Sequence, residues 1–292
     1  MTRGMLVRHL HEYVESLDEQ RYRVALRDNV QAAANKNFYE SEEDLSDTAT
    51  TYWNWYYEAR LAQAGVKLPQ GARVLDCACG VGRLGGAIAR GGAAGVVAFC
   101  DLSATQLRTL RSRWKPTPAS AGAQLGDLLN MPYADDSFDL VIGNSFLHHL
   151  PDVPAALREM YRVCKPGGRV VVLHEPNVYA PFWESLPVSL YRNVYERTDT
   201  NNFTDLWCFS GQGMKAIVQE AGFREVRVSA RGLLAALFTN PLLVVLRKLR
   251  VRSNAVLLPV YRFRVLLDRL EMALTFGRGL PTAPSLLIIA RK

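Results

Sequence analysis

Residues 74–84 read VLDCACGVGRL, an apolar strand that runs into a glycine loop and then a helix, and few folds accommodate that order. Gly80 and Gly82 let the backbone turn sharply and approach a ligand that a β-carbon would hold off. Asp76, just ahead of the loop, is placed to orient that backbone or to accept from a ligand's amine. A second apolar run then ends in an acid, Asp101, where a ribose-recognising carboxylate belongs. Gly126, Asp127 and Leu128 follow, with Asp127 placed to accept from an adenine amino group. A glycine turn after a strand is common by itself. Together, in this order and at this spacing, the pieces specify a nucleotide site.

The surrounding pattern agrees. Arg73–Cys77, Gly95–Cys100, Phe138–Asn144 and Arg169–His174 read as strands buried on both faces, and Leu84–Arg90, Thr105–Trp114 and Ala155–Val163 as the helices between them. This alternation predicts an α/β fold with a doubly wound, mostly parallel sheet. Pro166, Gly167 and Gly168 mark a turn, and Phe223–Ser229 and Ser285–Ala290 look like two further strands. With 292 residues, 49% of them hydrophobic, the chain can bury a large core and is not of disordered composition.

With these motifs the chain resembles the class I S-adenosylmethionine-dependent methyltransferases that modify small molecules and lipids. The resemblance runs from about Ala72 to Phe223, roughly half the chain. It rests on 74–84, Asp101–Ser103, Asp127–Leu128 with Met131 and Pro132, and Ser137–Ile142. It continues through LHHLPD at 147–152, LREMYRVCKPGG at 157–168, Glu175–Asn177 and Ala221–Phe223. It implies a Rossmann-like, seven-stranded sheet and S-adenosyl-L-methionine as cofactor. The cofactor would be held by Asp76, Ala78, Gly80, Gly82, Asp101, Leu102, Asp127, Leu128 and Asn144. One departure is visible: Ala78 stands where the family's loop has its first glycine. A dinucleotide-binding oxidoreductase is the competing reading, since Gly80, Gly82 and Gly85 also match its glycine pattern. That pattern does not account for Asp127–Leu128, the Phe138–Leu140 strand or the Lys165–Gly168 turn.

Methyl transfer from a sulfonium is an in-line displacement that needs alignment, exclusion of water and removal of a proton where the acceptor carries one. The acceptor side of this fold lies beyond the fourth and fifth strands, where Asn144, Ser145, His148, His149, His174 and Glu175 fall. His148, His149 and Glu175 are the catalytic candidates, with His148 ahead of His149 as base and Glu175 either touching the acceptor or shaping the loop. The histidines of LHHLP can equally serve local hydrogen bonds. A nucleic-acid amine methyltransferase would carry Asn/Asp-Pro-Pro-aromatic where this chain has Asn144 to Leu147, and a protein arginine methyltransferase would carry two glutamates there. No convincing set of Asp/Asn metal ligands is present, so transfer without a metal is expected. Tyr39, Tyr52, Trp53, Trp55, Tyr56 and Tyr57 precede the first strand, in the segment that forms a lid in this family. Tyr179, Phe182, Trp183, Tyr191, Tyr195, Phe203, Trp207 and Phe209 follow the fifth strand. These aromatics point to a hydrophobic or aromatic acceptor, such as a natural-product intermediate, quinone or lipid. A protein that binds the cofactor without catalysis, as partner or scaffold, is the alternative.

The formal charge of +7 is unevenly placed. Residues 225–292 hold 12 Lys+Arg against 3 Asp+Glu, a net of +9, and residues 1–224 hold 23 against 25, a net of −2. A nucleic-acid partner is therefore not expected. The excess sits in a segment of about 231–284 that separates the last two strands. It reads as a helical cap, an interface of a homodimer or a peripheral membrane element, with the first two ahead. The expected domains are a helical lid over 1–70, a core over 71–230 and 285–292, and the insertion over 231–284. Five cysteines without paired spacing read as reduced thiols, the N-terminus lacks an apolar signal core, and the run Gly232–Leu246 is too short to span a bilayer. A cytoplasmic protein, in peripheral contact with a membrane at most, is expected.

Overall fold

The structure, a computed structural model, describes residues 48–150, 152–177, 195–197, 207–249, 251 and 253–292. The helix expected over residues 3–35 lies outside them. So do Tyr39, Tyr179, Phe182, Trp183, Tyr191, Phe203 and the side chains of Tyr52, Trp53, Trp55, Tyr195 and Trp207.

Helix α1 (Thr48–Gln63) leads into strand β1 (Ala72–Cys77), and α2 (Arg83–Arg90), β2 (Ala94–Asp101), α3 (Ala104–Arg113) and β3 (Ser120–Leu125) follow. The chain then crosses to β4 (Phe138–Asn144), a short 3-10 turn at Leu147–His149, α4 (Val153–Val163) and β5 (Cys164–Pro176). A small hairpin, β6 (Tyr195–Arg197) and β7 (Trp207–Phe209), precedes α5 (Gly211–Glu220) and β8 (Arg224–Arg231). Two helices, α6 (Leu233–Lys248) and α7 (Asn254–Leu274), lie between β8 and the last strand, β9 (Ser285–Arg291).

The seven-stranded sheet has the order β3-β2-β1-β4-β5-β9-β8. Strands β1 to β5 are parallel, and β9 runs antiparallel between β5 and β8. The mostly parallel, doubly wound sheet anticipated from the sequence is thus present. Strand β3, SAGAQL, has no β-branched or aromatic residue to announce it, yet it pairs with β2 from Val96 opposite Ser120 to Asp101 opposite Leu125.

Successive residues of each strand point to opposite faces, so the sheet has two apolar layers. Leu75, Val141, Val172 and Ile288 face α4 and α5 with Met160 and Met214. Val74, Phe99, Ile142, Val171 and Leu287 face α1, α2, α3 and α7 with Tyr56, Leu84, Leu107 and Val265. Three helices start on side-chain caps: Ser103 accepts from Gln106 N–H, Asp152 from Ala155 N–H and Ser210 from Gly213 N–H. Each cap fixes where a helix leaves the rim of the sheet.

Candidate active site

The strand order reverses between β1 and β4, and in such sheets the crevice beyond the carboxyl ends of the strands takes the ligand. Ala78–Gly82 after β1, Asp101 ending β2, Asp127 after β3, Asn144 ending β4 and His174–Glu175 in β5 all belong to that rim.

The glycine loop is held from three sides. Cys79 N–H donates to the Cys100 carbonyl at 3.1 Å, and Gly82 N–H to the Cys79 carbonyl at 2.8 Å. Gly80 N–H donates to Asp101 Oδ2 at 2.7 Å, while Ser103 N–H reaches Asp101 Oδ1 at 2.9 Å. Gly85 N–H donates to the buried Asp76 Oδ2 at 2.7 Å, which ties the first turn of α2 to β1. Burial pushes the Asp76 carboxyl well above its ordinary range, against the pull of Gly85. Burial also raises Asp101, opposed by the N–H groups of Ser103, Gly80 and Leu102. At Asp127, burial raises the carboxyl while Leu129 N–H, 2.9 Å from Oδ1, opposes the rise. Leu128 is buried in the core layer beneath.

Gly85 in α2 and Gly80 in the loop have different reasons to be glycine. A β-carbon on Gly85 would meet Phe99 at 2.6 Å and Asp76 at 2.8 Å, so Gly85 is needed for packing. A β-carbon on Gly80 would meet only Gln106 Oε1, at 3.9 Å, so that side of the loop is open to a ligand. Ala78 has φ of 50°, a left-handed conformation that glycine adopts freely and alanine adopts at a cost of about 1 kcal/mol. Ser145 and His174, with φ of 56° and 59°, are strained in the same sense at the ends of β4 and β5. Such strain persists where surrounding structure enforces it, and functional rims are where it collects.

At the β4–β5 side the sequence candidates come together. Glu175 is fully buried; its Oε1 accepts from the N–H groups of Phe146 and Leu147 at 2.8 and 3.0 Å. Its Oε2 accepts from His148 N–H at 3.2 Å and lies 2.9 Å from His148 Nδ1. Burial alone would raise this carboxyl, but His148 and the backbone donors outweigh it and hold the value below the ordinary one. The carboxylate thus stays charged and fixes both the turn and the imidazole. The His149 ring lies against that of His148, centroids 3.8 Å apart.

A second chain of polar contacts was not visible in the sequence motifs. His174 Nδ1 is 2.6 Å from Asn144 Oδ1, and its Nε2 is 2.8 Å from the Tyr56 hydroxyl. The amide oxygen can only accept, so the imidazole proton is on Nδ1 and Tyr56 donates to Nε2. Arg60 Nη2 donates to the Tyr56 hydroxyl at 2.9 Å, and the same guanidinium is ion-paired with Asp268 of α7. Burial, reinforced by Arg60, Arg264 and Arg231, holds the His174 pKa well below the ordinary histidine value. His174 is therefore neutral at pH 7. A small cavity beside it is lined by Arg60, Leu173, Arg231 and Ser285. Among the described residues, no group of three or more His, Cys, Asp or Glu is arranged to hold a metal.

The family Methyltransf_11, a methyltransferase domain, matches residues 75–172. The demethylmenaquinone methyltransferase of Staphylococcus epidermidis is 32% identical over 183 residues, which cover 56% of this chain and 72% of that protein. This chain belongs to the S-adenosylmethionine-dependent methyltransferases. The 2-phytyl-1,4-naphtoquinone methyltransferase of Thermosynechococcus vestitus is 38% identical over 115 residues, spanning 39% of this methyltransferase and 51% of that one. In fold, it is similar to an S-adenosylmethionine-dependent methyltransferase of Mesorhizobium loti, with a TM-score of 0.55 at 21% identity, covering 81% of this chain and 98% of the other. The cofactor of this methyltransferase is S-adenosylmethionine. The open side of Gly80 and the carboxylates on the rim beside it fit such a group.

Proposed function

We propose that this methyltransferase methylates a hydrophobic aromatic acceptor of the quinol class, with His148 as base and without a metal. The observation that carries the reading is the His148–Glu175 pair at the β4–β5 rim, where the acceptor side of the fold lies. Two similar proteins named for quinone substrates, and Tyr56, which stacks on His174 and meets Tyr57 and Tyr261 edge-on, support the acceptor class.

In this reading Asp101 accepts from ribose hydroxyls and Asp127 from the adenine amine. Asp76 holds the loop formed by Ala78, Gly80 and Gly82, Leu102 supplies apolar contact, Leu128 anchors the Asp127 turn in the core, and Asn144 closes the crevice toward β5. When bound, the cofactor supplies an electrophilic sulfonium methyl group. With Nδ1–H of His148 directed at Glu175, Nε2 carries the lone pair that takes the acceptor's proton. Held by these residues, S-adenosylmethionine would give its methyl group to the acceptor and keep the electron pair of the bond it gives up. Glu175 is a positioning residue, since both of its oxygens are engaged by the turn and by His148.

The test is His148→Ala, assayed with labelled S-adenosylmethionine and a naphthoquinol. A loss of about 10²–10⁴ in kcat is expected with cofactor affinity held within about twofold, as removal of a general base requires. A variant that keeps the full rate overturns the assignment.

A further inference from the structure

We propose that α6 and α7 dock this protein onto an anionic lipid surface, lying in the plane of the interface with their outer faces in the headgroup region. Among the described residues, every large hydrophobic side chain that is exposed lies between Leu237 and Phe276. The rest of the described surface has none. Concentration of exposed apolar area in one element marks an interaction site.

Helix α7 buries acids beside Val265 and Leu267 and leaves a row of large apolar side chains exposed. Its inner face carries both acids of the insertion, and Asp268 and Glu271 are each only 1% exposed. Asp268 pairs with Arg60, while the Glu271 oxygens accept from Gly232 and Leu234 N–H at 3.0 and 2.9 Å, at the start of α6. Its outer face presents Val256, Phe263, Leu266, Leu270 and Leu274, a stripe at helical spacing. Phe238, Leu242 and Val245 on α6, with Leu249 just past its end, form a corresponding exposed stripe, and α6 packs against α7.

Charge selects the occupant. Residues 231–284 hold nine Lys and Arg against two acids, and both acids face inward. Arg262, Arg269 and Arg278 are exposed beside the apolar stripe. A second copy of the same face would bring cation against cation with no carboxylate on either side, which disfavours a self-complementary dimer. Anionic headgroups supply the missing charge, with arginine stems lying along apolar surface and their guanidinium groups at the phosphate level. No described helix is long and apolar enough to cross a membrane, so the element lies on the surface rather than through it.

The experiment is flotation of the full chain with phosphatidylcholine vesicles, with and without phosphatidylglycerol. Wild type is expected to float with the anionic vesicles and to be released in part by high salt. The double variant Phe263→Glu/Leu266→Glu should bind at least about tenfold more weakly. Arg262→Gln/Arg269→Gln should lose about tenfold or more on anionic vesicles and little on neutral ones. Cofactor titration of each variant, expected to match wild type, separates lost docking from lost fold. Wild type that stays at the bottom with anionic vesicles overturns the proposal. So does a Phe263→Glu/Leu266→Glu protein that floats as well as wild type, or one whose only change is dissociation of a dimer.

Discussion

Helices α4 and α7 both flank the same sheet, yet they are built in opposite ways. Helix α4 buries Val153, Ala156, Leu157, Met160 and Val163, and its charged residues face away. Helix α7 buries Asp268 and Glu271 beside Val265 and Leu267, and turns Phe263, Leu266, Leu270 and Leu274 outward. An apolar stripe therefore says that a helix has two faces, without saying which one meets the core. In α4 the hydrophobic effect decides the orientation. In α7 the Arg60–Asp268 pair and the backbone donors at the start of α6 hold the polar face inward, leaving the apolar face for another phase.

The largest expected effect tests that difference. Asp268→Ala leaves the buried Arg60 without its countercharge and should destabilise the fold by about 3–5 kcal/mol in denaturant unfolding. The double change Arg60→Met/Asp268→Leu should recover most of that loss, because removing both charges removes the desolvation cost as well. A single variant as stable as wild type would break the comparison.

Next in size is a pH effect at the junction of the two regions. The folded pKa of His174 lies below its unfolded value, so the unfolded chain binds the extra proton first. The stability contribution of the neutral imidazole is full above about pH 6.5 and is lost as pH falls from there toward the folded pKa. Thermal unfolding as a function of pH should show this loss in wild type and a shallower one in His174→Gln. Equal slopes would mean that His174 does not link the rim to α1 and α7 in this way.

The smallest effect sharpens the contrast. Leu266 is 60% exposed, so Leu266→Glu should change stability by no more than about 0.5 kcal/mol. Met160→Ala in α4, where the side chain is fully buried, should cost about 2–5 kcal/mol. Comparable losses at the two positions would show that the outer face of α7 is packed.

Much of the core was legible because its signals are local. The glycine loop, the acid ending β2 and the apolar runs of β1, β4 and β5 each carry their own pattern. Strand β3 was hidden because alanine and glycine have no strong strand preference, and its pairing with β2 is what makes it a strand. The three-residue strands of the β6–β7 hairpin are too short for any period to show. Glu175 was identified as a candidate, but its engagement by the turn at Phe146–His148 depends on contacts across about thirty residues of chain. The chain from Asn144 through His174, Tyr56 and Arg60 to Asp268 joins four separate elements, so no motif could contain it. One signal was available in advance. In a segment rich in leucine and arginine, two lone acids, Asp268 and Glu271, are three residues apart on one helix face.

Methyl transfer to a hydrophobic quinol at the β4–β5 rim is the proposed reaction. Labelled S-adenosylmethionine, the full chain and a naphthoquinol in detergent micelles test it directly, with the product analysed by mass spectrometry. One methyl group added per quinol is expected, together with loss of that product in His148→Ala. Tight cofactor binding with no label in the quinol would contradict it.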